Sequence, residues 1–164
     1  MKLPGWITTA TAAVAAAVLP ACDGINLKEL KPGVSTAAEV RSRLGNPAYE
    51  HRNDDGSVTW EYNRQPNGVE CHMITIGPDQ IVSKIEQALN EANLARVQEG
   101  MGKEAVRRLL GKPGTVTTFS NLGEEVWDWR VAGLTPAEEA HFHVHFALAD
   151  GRVKKTSRRV EGKG

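Results

Sequence analysis

The sequence predicts an α+β protein of two tandem units, each with two short helices packed on a three- to four-stranded antiparallel sheet. Three observations carry that prediction. The first is a repeated punctuation: Glu99-Gly100-Met101-Gly102-Lys103 through Leu110-Gly111-Lys112-Pro113 echoes Lys31-Pro32-Gly33-Val34-Ser35 through Leu44-Gly45-Asn46-Pro47. Each reads as a glycine turn, a short helix and a Gly-x-Pro stop, the internal similarity that marks repeat architectures. The second is that each copy is followed by extended runs of alternating polarity separated by turn residues, the mark of half-buried strands. The third is the arithmetic of the alignment: Pro47 pairs with Pro113 at an offset of 66, Trp60 with Trp127 at 67, and Val82 with Val153 at 71. A unit of about 65 residues is small for a core of its own, so the two are expected to pack together.

In the first unit, Thr36-Ala37-Ala38-Glu39 fits a capping box, and Ala37, Val40 and Leu44 then fall on one helical face. Gly45 and Pro47 end that helix, glycine by accepting positive φ and proline by lacking a donor. Residues 49–52 lead into the hairpin signal Asn53-Asp54-Asp55-Gly56. Val58, Trp60 and Tyr62 share one face of the next strand, residues 69–76 alternate as another, and residues 81–87 close the sheet after a turn at Gly77-Pro78. In the second unit, residues 88–97 read as a short helix with Leu89, Leu94 and Val97 apolar, and the following helix buries Val106, Leu109 and Leu110. Strands are expected over 115–119, 126–131, 141–148 and 153–160, with a loop through Pro136 and a turn at Asp150-Gly151.

Ahead of the units, Lys2 precedes an uncharged run over residues 7–18, too short to span a bilayer comfortably, which leads to Leu19-Pro20-Ala21-Cys22. That tetrad resembles the lipobox of bacterial lipoproteins. The resemblance implies a signal peptide over 1–21, cleavage before Cys22, and diacylglyceryl and palmitate-type acyl groups on the new N-terminal residue. Acyl chains there would anchor the chain by burying many methylenes. Asp23 resembles an inner-membrane retention signal in enteric bacteria, which sets the inner membrane against the outer as the address. With Cys22 lipidated, Cys71 has no partner thiol in the chain and reads as a small buried apolar group.

The order of helices and strands, with Glu99-Gly100-Met101, Val106 and Leu110-Gly111-Lys112-Pro113, resembles the BamE (SmpA/OmlA) family of outer-membrane assembly lipoproteins. Typical members carry one copy. Two copies in tandem resemble the arrangement of the β-lactamase inhibitory proteins, where a joined sheet forms a binding face. The division expected is therefore 1–21 signal peptide, 22–29 lipidated cysteine and tether, 30–87 first unit, 88–160 second unit and 161–164 tail.

Three groups of side chains invite a functional reading. Period-2 geometry places His141, His143 and His145 on one side of a strand and Phe142, Val144 and Phe146 on the other. Imidazoles at that spacing stand roughly 7 Å apart, close enough for two to share an ion such as Zn²⁺. The competing reading is that they decorate a polar face. Trp60, Tyr62, Trp127 and Trp129 are either a partner-binding face or the sheets' contribution to the core. Arg152, Lys154, Lys155, Arg158, Arg159 and Lys163 either meet phospholipid headgroups or an acidic partner, or guard an exposed sheet edge.

Composition excludes several classes. Twenty basic and twenty acidic residues balance, with 40% hydrophobic and 24% charged residues, so the chain is globular and not built to bind nucleic acid. No nucleophile elbow, phosphate loop, His-Glu-x-x-His run or dinucleotide fingerprint occurs, so neither an enzyme nor a cofactor is expected. The expected function is a lipid-anchored, periplasm-facing binding or scaffold protein on the outer membrane. Its expected partners are envelope proteins, the barrel-assembly machinery among them, and its expected role is an accessory one in outer-membrane protein assembly or envelope integrity. The alternatives are an inhibitor or sensor of a periplasmic enzyme on the same tandem fold, and a metal-binding lipoprotein using the strand histidines.

Overall fold

The computed structural model describes residues 27–135 and 138–162 of the 164-residue chain. The expected signal peptide, Cys22, Asp23, Pro136 and Lys163 lie outside the described residues.

The elements run α1 (Ala37–Leu44), β1 (Tyr49–Arg52), β2 (Val58–Asn63), β3 (Cys71–Ile76), β4 (Val82–Gln87), α2 (Glu91–Leu94), α3 (Lys103–Leu110), β5 (Thr115–Phe119), β6 (Glu124–Ala132), β7 (Glu138–Ala147) and β8 (Val153–Gly162), with a 3-10 turn at Ser120–Leu122. They build two antiparallel four-stranded meanders, β1-β2-β3-β4 and β5-β6-β7-β8. Local chemistry accounts for most boundaries. Thr36 caps α1 by accepting the Glu39 N–H at 3.2 Å, which is half of the capping box. The Glu39 carboxylate does not return to the cap and instead takes the Arg43 guanidinium at 3.0 Å. Gly45 and Gly111 end α1 and α3 at φ 77° and 80°, where a side chain would be strained.

The helix expected over 88–97 is shorter, Glu91–Leu94. The Ala88 N–H is committed to the Cys71 carbonyl, and Asn90 caps the turn by accepting the Asn93 N–H at 2.9 Å. A helix cannot extend back through a residue whose amide already serves the sheet.

The internal duplication is visible in the hydrogen bonds. Trp60 sits between Glu50 and Ile74 in the first sheet as Trp127 sits between Val116 and Val144 in the second. Both sheets shift register at one place, between Thr75 and Ile76 and between His145 and Phe146. The bridge Thr36–Ile81 recurs as Gly102–Arg152, the bond from the Gly33 N–H to the Val82 carbonyl recurs from Gly100 to Val153, and that from Ala48 to Glu61 recurs from Gly114 to Asp128.

Two hydrophobic clusters follow from this arrangement. On one face of the first sheet, α1 buries Ala37 and Val40 with Trp60, Ile74, Ile76 and Val82. The other face contributes Cys71 and Met73 to the larger cluster, where they meet Leu89, Leu94, Val106 and Leu110 together with Trp129, Val131, Phe142, Val144 and Phe146 of the second sheet. The layers are thus α1, first sheet, α2 and α3, second sheet, with α3 packed on both sides.

Polar groups lock the joint between the halves. Glu61, wholly buried, accepts the Lys112 N–H at 2.8 Å and the Asn63 amide at 3.0 Å, and its other oxygen lies 3.1 Å from His51 Nε2. Asn63 also donates to the Lys112 carbonyl at 2.7 Å. Beyond the end of β5, the Arg130 backbone would lack a strand partner on that side. The Gln65 carboxamide serves both its groups, accepting the N–H at 2.9 Å and donating to the carbonyl at 2.6 Å. Burial pushes the Cys71 thiol well above its ordinary range, and the Glu61 charge adds to the effect, so it stays a protonated packing group.

Candidate functional site

The face of the first sheet that meets α3 has a counterpart in the second sheet that no element of the described chain covers. In the first sheet that face carries Glu61, Cys71, Met73 and Thr75. By register the matching positions are Asp128, His141, His143 and His145. Buried positions against α3 are thus small, apolar or hydrogen-bonded, and the uncovered ones are imidazoles and a carboxylate. The exchange places polar groups where they pair with one another and still meet water, the side chains keeping 16–24% of their surface exposed.

β6 and β7 hold these side chains. His143 lies directly opposite Asp128, His141 opposite Arg130, and His145 opposite Val126. His141 Nδ1 is 2.9 and 3.1 Å from the two Asp128 oxygens, and His143 Nε2 is 3.8 Å from Oδ2. The two imidazoles stand nearly parallel with centroids 6.2 Å apart. Burial lowers the pKa of His143 below its usual 6.5, against the opposing pull of Asp128, and the charges of Arg159, His141 and His145 lower it further. His145 is tied elsewhere, with Nδ1 3.0 Å from Glu124 and Nε2 3.0 Å from Ser157.

Of the three histidines that the sequence sets on one side of the strand, the structure divides the partners. Two of them converge on Asp128, which no short-range pattern singled out, and His145 belongs to a separate network. The acidic residue between Trp127 and Trp129 was the available signal, but only the strand register shows which histidine faces it.

Glu124 centres that second network. Lys154 at 2.7 Å, and then His145, hold its carboxyl down to about 2 from an ordinary 4.5. A depressed carboxylate stabilises the fold above its unfolded pKa and loses that contribution as pH falls through its folded value. The melting-temperature gap between wild type and Glu124→Gln is therefore expected to be full near neutral pH and to close as pH falls from about 4.5 to about 2. A gap that stayed constant over that range would refute the assignment.

The aromatic residues expected either as a partner face or as core are buried or half-buried. Trp60 is 5% exposed under α1 and Trp129 is fully buried, with its Nε1 donating to the Gly111 carbonyl at 3.2 Å. Tyr62 and Trp127 are half-buried: the Tyr62 hydroxyl donates to the Gly45 carbonyl, and Trp127 packs on Phe146 with centroids 4.8 Å apart. Side chains on the helix-packed side of a sheet have little surface left to offer a partner.

The basic run is also divided rather than presented as one patch. Arg152 donates to the Gly100 carbonyl, Lys154 pairs with Glu124, Arg158 bridges Glu91 and the Ala132 carbonyl, and Arg159 pairs with Glu161. Lys155 is exposed opposite His145.

The model of the outer membrane protein assembly factor BamE domain matches residues 86–154. The second half of the chain matches the BamE domain. The matched span runs from the end of β4 through α2, α3, β5, β6 and β7 to the start of β8, so the open histidine face lies within the BamE-like half. No curated protein sequence matches the chain. Among solved structures it is similar to a DUF4309 family protein, YjgB, from Bacillus subtilis subsp. subtilis str. 168, at 17% identity over 83% of this chain and 84% of that one, with a TM-score of 0.30. It is also similar to a putative beta-lactamase inhibitor protein from Streptococcus mutans, at 11% identity over 85% of this chain and 97% of that one, with a TM-score of 0.34. At those scores neither likeness bears on function.

Proposed function

We propose that this chain is a lipid-anchored, periplasm-facing accessory of outer-membrane protein assembly, acting by binding and not by turnover. Its units are 30–87 and 88–160. The observation that carries the reading is the BamE domain match at residues 86–154. The docking face is the uncovered side of the second sheet, because the equivalent side of the first sheet already serves as a protein interface, against α3. Its charged and imidazole lining favours a hydrated, reversible contact over an obligate one. The occupant we assign is a component of the barrel-assembly machinery.

A photo-crosslinking residue placed at Thr117 or Ser157 on that face, in native envelopes, is expected to capture a barrel-assembly component, whereas one at Ser83 on β4 is not. Capture of a periplasmic hydrolase, or the same products from Ser83, would overturn the assignment. Anchoring is tested separately: labelled palmitate should enter the wild-type chain and be lost in Cys22→Ser, which should leave the membrane fraction. Equal labelling of both would remove the anchor. Among the described residues no helix is long and apolar enough to cross a membrane.

A further inference from the structure

We propose that Asp128, His141 and His143 form a binding site for one divalent first-row transition ion on the open face of the second sheet. One donor atom from each residue can be chosen so that all three lie within 4.8 Å of one another. Donors around an ion of this kind sit about 2.0–2.2 Å from it, hence roughly 3–3.5 Å apart, and small rotations close the remaining gaps. Two imidazole nitrogens and a carboxylate oxygen suit zinc, nickel, cobalt or ferrous ions, whereas magnesium and calcium prefer all-oxygen sets.

Three further features of the geometry point the same way. The donors stand on the two central strands of the sheet, β6 and β7, whose register fixes His143 opposite Asp128. Sites on such strands are held more precisely than sites on loops. Among the described residues no lysine or arginine salt-bridges Asp128, whose ion-pair partners are the two histidines alone. Glu124, four residues earlier, is instead satisfied by Lys154, so the cation that balances one carboxylate has no counterpart at the other. Finally, the equivalent positions in the first sheet, Glu61, Cys71 and Met73, are filled against α3, which leaves the second sheet as the one place where these positions face outward. The inference does not depend on the docking reading, since the ligands are this chain's own.

The test titrates the purified full-length chain in detergent with Zn²⁺ by calorimetry and with Co²⁺ by visible absorption. Wild type is expected to bind one ion per chain, and Co²⁺ to develop the ligand-field bands of a nitrogen- and oxygen-coordinated centre. His143→Ala and the near-isosteric Asp128→Asn are expected to weaken binding by more than the ~10–100-fold that outer-sphere changes cost. His145→Ala, removing a residue of the neighbouring network, is expected to lose less than the ~10-fold at the lower end of outer-sphere changes. A melting curve without metal checks that each variant is folded. Absence of a saturable site, unchanged affinity in folded His143→Ala, or a loss in His145→Ala equal to that in His143→Ala would each overturn the proposal.

Discussion

Gly111→Ala is expected to cost about 4 kcal/mol of stability, against about 2 kcal/mol for Gly45→Ala. The two glycines are equivalents in the duplicated unit, ending α3 and α1 at φ 80° and 77°. Both substitutions carry the strain of a side chain in a backbone region that is nearly glycine-only, ~2 kcal/mol. Only one meets the joint. A Cβ at Gly45 has nothing within 4 Å, whereas one at Gly111 would lie 2.5 Å from Cys71 Sγ, 3.2 Å from Glu61 and 3.3 Å from Asn63. The sulfur is fixed by burial in the core, and the carboxylate and amide are held by their hydrogen-bond partners, so the overpacking adds ~2 kcal/mol. In melting temperature the gap between the variants should be roughly 6–8 °C. Equal melting temperatures would mean that the halves do not meet at this point.

Glu61→Leu should destabilise by about 3–5 kcal/mol, the usual cost of removing one partner from a buried charged network. Leucine is close in volume, so packing is largely kept and the loss is electrostatic. The Lys112 N–H and His51 Nε2 both lose their acceptor, and among the described residues His51 Nδ1 already has no partner. Glu61→Gln retains an acceptor for Lys112 and should cost only ~1 kcal/mol, the net worth of one hydrogen bond. The joint provides its own reporter: Cys71 is fully buried with its thiol held protonated. Alkylation at the Cys71 peptide, followed by mass spectrometry, should be slow in wild type and Glu61→Gln and fast in Glu61→Leu. Denaturant melting of Glu61→Leu within ~1 kcal/mol of wild type would show that the network is dispensable.

Much of the chain is legible because its signals are local. The Thr36 cap, the Gly45 and Gly111 stops, the Asn53–Gly56 turn and the period-2 alternation of Trp127, Trp129 and Val131 each need only a few neighbouring residues to be read. The helix expected over 88–97 is shorter because apolar spacing at Leu89, Leu94 and Val97 persists whether or not the backbone between them is helical; Ala88 is held by Cys71 of β3, distant along the chain but adjacent in space. The candidate site was half visible. Alternation set the three histidines on one side, but pairing Asp128 with two of them required the β6–β7 register, and excluding His145 required Glu124 and Ser157.

The sequence by itself determined that the fold is written twice, and with it the order of helices, strands and stops, because turn chemistry and hydrophobic period act over a few residues. Only the tertiary structure decided which side of each sheet is covered: Trp60 and Trp129 turn inward as core, Cys71 and Met73 lie beneath α3, and their counterparts His141 and His143 face outward. A strand's period of two separates its faces without saying which will be buried, and that choice is made by whichever element packs against it.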